Sequence, residues 1–73
     1  MKYKAYEIIL DGDNLIGLAF TTNEKKALEI GIENSLGNEK NLKVYAAPHY
    51  GEGKSEHFVS KEMMRHFYNY KGW

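Results

Sequence analysis

The sequence predicts one small α+β domain over residues 1–73, of order β-β-α-β-α. Its sheet is three-stranded and mainly antiparallel, with strand order 2-1-3 preferred over 1-2-3 and both helices on one face. Three observations carry this prediction. Two stretches near the start alternate apolar and polar residues around a strong turn signal. A capped stretch with helical spacing follows. A third short alternating stretch then leads to an aromatic-rich, helix-like C-terminus.

Tyr3 to Leu10 places Tyr6, Ile8 and Leu10 on one face, and Leu15 to Thr21 answers with Ile16, Leu18 and Phe20. Asp11-Gly-Asp-Asn14 between them is a hairpin turn. Bringing both bulky sets to one face calls for a three- or five-residue loop, because a shift of one residue turns a strand over. Thr21-Thr-Asn-Glu24 fits a capping box with Thr21 as N-cap, opening a helix that runs to about Leu36. Ala27, Leu28, Gly31, Ile32 and Leu36 form its inward arc, with Ile30 outside it in water. Gly31 on that arc implies close approach to the sheet, and Gly37-Asn38 supplies the stop.

Asn41 to Ala47 reads as the third strand, with Leu42, Val44 and Ala46 inward and Lys43 and Tyr45 outward, ended by Pro48. Pro48 to Glu56 is a polar, glycine-containing loop. A second helix starts at Ser60, or as early as Ser55, and ends near Tyr70. Val59, Met63, Phe67 and Tyr70 make up its inward stripe.

Size and composition narrow the function. A core drawn from 73 residues contributes only ~3–5 kcal/mol of net stability unless something reinforces it. With no cysteine, disulfides and thiolate metal sites are excluded. No apolar run reaches the ~20 residues that span a bilayer, and the expected setting is cytoplasmic. Ten acidic and ten basic side chains cancel, so no global field favours nucleic acid or membrane. The charge is uneven along the chain: residues 5–39 carry seven acids against two bases, and residues 40–73 carry six bases against three acids.

Candidate chemistry is sparse. Pro48-His-Tyr-Gly-Glu-Gly-Lys-Ser55 misses the phosphate-cradling pattern G-x-x-x-x-G-K-[S/T] at its first position, where Pro48 lacks the required amide. What remains of that signal is a weak anion contact through Lys54 and Ser55. The spacing of His49, His57 and His66 matches no zinc motif. Asp11 and Asp13 sit at a hairpin tip, and the serines occupy cap and turn positions. No catalytic residue, metal site or cofactor is therefore expected, and the chain reads as a non-enzyme.

The C-terminal third stands apart. Residues 58–73 hold five of the ten aromatic side chains, more than one buried stripe absorbs. Lys61, Arg65 and Tyr68 recur at i, i+4 and i+7, with Met64 at the margin and Lys71 and Trp73 beyond the helix end. This basic and aromatic strip is the predicted partner-binding surface. It suits a protein-binding inhibitor or adaptor, of the kind found in phage or other mobile elements. The alternative is a nucleic-acid-binding domain using the same surface, with rings stacking bases and cations following phosphates. Self-association through Ile9, Gly17 and Ala19 on the hairpin's second face is a further expectation.

Overall fold

The two alternating stretches form the two longest strands. The structure is a computed structural model, which describes residues 2–34 and 37–64. Strand β1 spans Tyr3–Leu10 and β2 spans Asn14–Thr21. Helix α1 covers Glu24–Asn34, followed by β3 at Leu42–Ala46 and a 3₁₀ turn at Pro48–Tyr50. Two short strands follow, β4 at Glu52–Gly53 and β5 at His57–Ser60, and residues 61–64 are helical.

The sheet has five strands rather than three. Its order is β3-β1-β2-β5, with β4 also pairing β1, and every pairing is antiparallel. The expected three-stranded order is corrected accordingly. β1 does lie between β2 and β3, but β5 extends the sheet beyond β2. The stretch expected to lead into the second helix supplies that strand, because Phe58 and Val59 pair with the outer side of β2.

The hairpin loop is three residues long, Asp11 to Asp13, between the facing pair Leu10 and Asn14. Asp11 and Gly12 both take positive φ, 54° and 84°, in a turn whose residues tolerate the left-handed region. The strand faces nevertheless differ from the prediction. Ile9 opposes Leu15 and Ile8 opposes Gly17, so Ile16 is an extra residue, a β-bulge that turns the rest of β2 over. Tyr6 and Ile8 therefore face one side of the sheet, while Leu18 and Phe20 face the other.

Both sides are consequently buried. On one, Tyr6, Ile8, Ala19 and Leu42 pack with Ala27 of α1, and Ile16, Ile30 and Phe58 close in around them. On the other, Ala5, Leu18, Phe20 and Val59 lie beneath Ala47, Tyr50 and Met64. Met64 follows β5 and belongs to this second cluster. The helical residues 61–64 thus lie across the sheet from α1, correcting the expectation of both helices on one face.

α1 begins later than the capping box predicts. The Asn23 side-chain oxygen accepts from the Lys26 amide at 2.9 Å, so Asn23 is the cap. Thr21 instead ends β2 fully buried, its hydroxyl donating to the Glu56 carboxylate. The helix arc is rotated as well: Ile30 packs against the core and Ile32 is 38% exposed. Gly31 does approach the sheet, since a Cβ there would stand 2.9 Å from Cγ2 of Ile8. Gly17 is tighter still, because a Cβ would fall 2.3 Å from the Val59 carbonyl oxygen and 2.6 Å from Cζ of Phe58. This glycine lets the Phe58 ring lie over the strand. Gly17→Ala is expected to destabilise the fold by ~1–3 kcal/mol, seen as a lower urea midpoint with an unchanged slope.

Candidate functional site

The predicted surface starts where β5 gives way to helix. Ser60 caps that turn, its hydroxyl oxygen accepting from the Met63 amide at 3.4 Å, as its position in the sequence predicts. Two adjacent methionines then define how the turn is seated. Met64 is 6% exposed and lies in the cluster with Leu18, Phe20 and Val59, whereas Met63 is 51% exposed. This reverses the expected stripe. Met64 anchors the turn and leaves the proposed strip, and Met63 takes the outward position beside exposed Lys61 and Glu62. The reversal follows from β5: residues up to Ser60 are extended, so Val59 reaches the core as a strand residue and sets no helical phase. Arg65, Tyr68, Lys71 and Trp73, with Phe67 and Tyr70, lie outside the described residues.

The glycine loop is ordered into the sheet edge. Tyr6 opposes Ala46 and Lys4 opposes Glu52, so two steps along β1 match six along the neighbouring chain. The surplus forms the Pro48–Tyr50 turn, which folds back to bury Ala47 and Tyr50. The Tyr50 hydroxyl donates to Glu7 Oε2 at 3.3 Å, and the Gly51 amide donates to the Pro48 carbonyl at 3.0 Å. Gly51 takes φ 86°, a left-handed conformation that favours glycine. Glu52 and Gly53 then pair with Lys4 and Tyr3, drawing this segment into a strand rather than a cradle of converging amides. A crevice of about 430 Å³ opens at the insertion, lined by Lys4, Ala5, Ala46, Pro48, Gly51 and Glu52. Lys54 and Ser55 are exposed and are not among those residues.

The two described histidines are held by ring contacts. His57 stacks on Phe20 with centroids 4.9 Å apart and planes at 12°, and its Nδ1 donates to the Ser55 carbonyl at 2.7 Å. His49 lies 4.3 Å from the Tyr50 ring. Among the described residues, no group of three or more His, Asp or Glu side chains could hold a metal ion. No helix among them is long and apolar enough to cross a membrane.

The three residues expected to carry self-association do not share a face: Gly17 and Ala19 lie on the α1 side of the sheet and Ile9 on the other. Ala19 is fully buried, Gly17 lies beneath Phe58, and Ile9 is half-buried. Sequence reasoning missed Tyr45 on the outer strand β3. It is 53% exposed, next to exposed Lys43 and Ala46, and faces the side of the sheet opposite α1. Its outward position was legible in the alternation of residues 41–47, and its place on a sheet edge in the expected strand order; what went unremarked was the two together. No protein-family model, curated protein or solved structure matches this chain.

The seating of the methionines is open to direct measurement. Met64→Ala is expected to cost ~2–5 kcal/mol of folding stability, as truncation of a buried side chain does. Met63→Ala is expected to remain within about 0.5 kcal/mol of the unmodified chain. Equal losses in urea denaturation would show that Met64 does not seat the turn.

Proposed function

We propose that the chain is a non-enzymatic protein-binding module, an inhibitor or adaptor that acts by occupying the surface of its partner. The start of the C-terminal helix forms part of the contact. The observation that supports this reading is the pairing of a half-exposed Met63 with a buried Met64 on one turn. A side chain locked in the core holds the turn in place. Its neighbour presents a flexible, polarisable thioether to solvent, on a turn that also exposes Lys61. Methionine adapts its shape to irregular apolar surfaces, and its stem loses little by moving from partial exposure into a complementary pocket. Arg65, Tyr68, Lys71 and Trp73 follow in the sequence and are of types enriched in interface centres. A contact built on apolar and aromatic burial should depend only weakly on salt.

Nucleic-acid binding is the competing outcome, and salt separates the two. Counterion release makes nucleic-acid affinity fall steeply as salt rises. The test uses immobilised full-length protein against an extract of its source cells, together with a Lys61→Ala/Met63→Ser double variant. One defined protein is expected to be captured and retained at raised salt. The double variant should lose it while keeping the wild-type melting temperature. Equal capture by the double variant would remove the helix start from the contact. Saturable quenching of Trp73, the only tryptophan, by single-stranded DNA at low salt, reversed at high salt, would replace the reading with nucleic-acid binding.

A further inference from the structure

β3 is an outer strand, and its free edge has a pattern that complements itself. Among the described residues it pairs with β1 alone. In an antiparallel ladder, alternate residues direct their N–H and C=O groups to opposite sides. Two backbone bonds bracket β3: the Asp11 amide donates to the Asn41 carbonyl at 2.8 Å, and the Ala47 amide donates to the Ala5 carbonyl at 2.9 Å. They assign residues 43 and 45, along with 41 and 47, to the side facing β1. Leu42, Val44 and Ala46 therefore direct their backbone groups outward. The Leu42 amide is already used, donating to the Asn38 carbonyl at 2.9 Å. The outer edge thus presents the N–H groups of Val44 and Ala46 and the C=O groups of Leu42, Val44 and Ala46.

We infer that β3 is the interface of a two-fold symmetric homodimer, in which it pairs antiparallel with β3 of a second copy about an axis at Val44. The inference is independent of the helix surface discussed above. About that axis, each Val44 amide meets the Val44 carbonyl of the other copy, and each Ala46 amide meets the Leu42 carbonyl. These four backbone bonds use only donors and acceptors that point outward. The one outward position lacking a donor, the Leu42 amide, is satisfied within its own chain.

The side chains are complementary under the same operation. Lys43 and Tyr45 flank Val44 and are both exposed on the side of the sheet opposite α1. Two-fold pairing sets each Lys43 across from the Tyr45 of the other copy, an ammonium group against an aromatic ring, twice. An axis at Lys43 would instead oppose two like charges, and an axis at Tyr45 would carry Leu42 past the end of the strand to Pro48. The axis at Val44 overlaps all five residues of β3 and places no like charges opposite each other within it. On the α1 side, a groove of about 370 Å³ lined by Leu28, Leu42 and Val44, with Glu24 and Lys25, runs beside this edge. A perpendicular two-fold axis keeps both α1 helices on the same side of the joined sheet, so the two grooves merge into one apolar seam. A foreign extended segment could also add to the edge, but it would not require the Lys-Val-Tyr symmetry about Val44.

Sedimentation of the full chain over a concentration series tests the inference. A species of twice the 8.4 kDa chain mass is expected to grow with concentration. In hydrogen exchange, the Val44 and Ala46 amides should become protected in step with it. Val44→Pro removes a donor that β1 does not use and should leave a folded monomer. Lys43→Glu should raise the dimer dissociation constant about ten-fold through loss of the two cation–ring contacts. A chain that stays monomeric throughout would overturn the inference. So would a dimer in which the Val44 and Ala46 amides exchange as fast as in dilute solution, a result the unmodified protein gives even if Val44→Pro does not fold.

Discussion

The bulge at Ile16 is the feature on which the rest of this structure depends. Near the turn, Leu10 opposes Asn14 and Ile9 opposes Leu15. One extra residue later, Ile8 opposes Gly17 and Ala5 opposes Phe20. Because side chains alternate strictly along a strand, that single insertion divides the large residues of the hairpin between two faces. A sheet with Tyr6 and Ile8 on one side and Leu18 and Phe20 on the other cannot leave either side in water. Among the described residues, α1 and the pieces contributed after β3 cover them.

α1 covers the first side, and the fit depends on small residues. Ala27 and Gly31 face the sheet, bringing the helix backbone close to Ile8. The second side has no full helix among the described residues. It is closed by pieces: Ala47 and Tyr50 folded back from the edge, Val59 from β5, and Met64 from the turn that follows. Polar contacts hold these pieces in place, with Tyr50 reaching Glu7 and the buried Thr21 hydroxyl reaching Glu56. Buried polar groups in such positions favour one arrangement over its neighbours, since each would lose its partner on shifting.

A sheet covered on both faces leaves its edges and the outer sides of its covering pieces for interaction. The exposed large apolar residues fit that arrangement: Ile32 on the outer side of α1, Tyr45 on the edge strand and Met63 on the turn after β5. Lys43 beside Tyr45 and Lys61 two residues before Met63 add positive charge at two of these places. Proteins commonly protect an outer strand by making it short and placing lysine on it, and β3 has both features. The same lysine supports pairing when an aromatic ring occupies the opposite position, as the two-fold arrangement about Val44 would provide.

Local chemistry alone determined a good deal of this molecule. The period-two alternation and the Asp-Gly turn specified β1 and β2 almost to the residue. Helical spacing located α1, and Pro48 marked the end of β3. Gly31 announced its close approach, and Ser60 its role as a cap. These features are set by the backbone preferences of a few neighbouring residues, which a sequence displays directly. The tertiary structure decided which face each side chain served. The bulge at Ile16 left only the strand glycine Gly17 as a local trace, yet it reversed the partners of Leu18 and Phe20. Phe58 and Val59 were too short a run to declare a strand until β2 offered them an edge. The exchange of Met63 for Met64, and with it the make-up of the proposed surface, followed from that strand. Burial depends on contacts between residues far apart in the chain, and periodicity within one segment carries no record of which side of the sheet the other segments will cover.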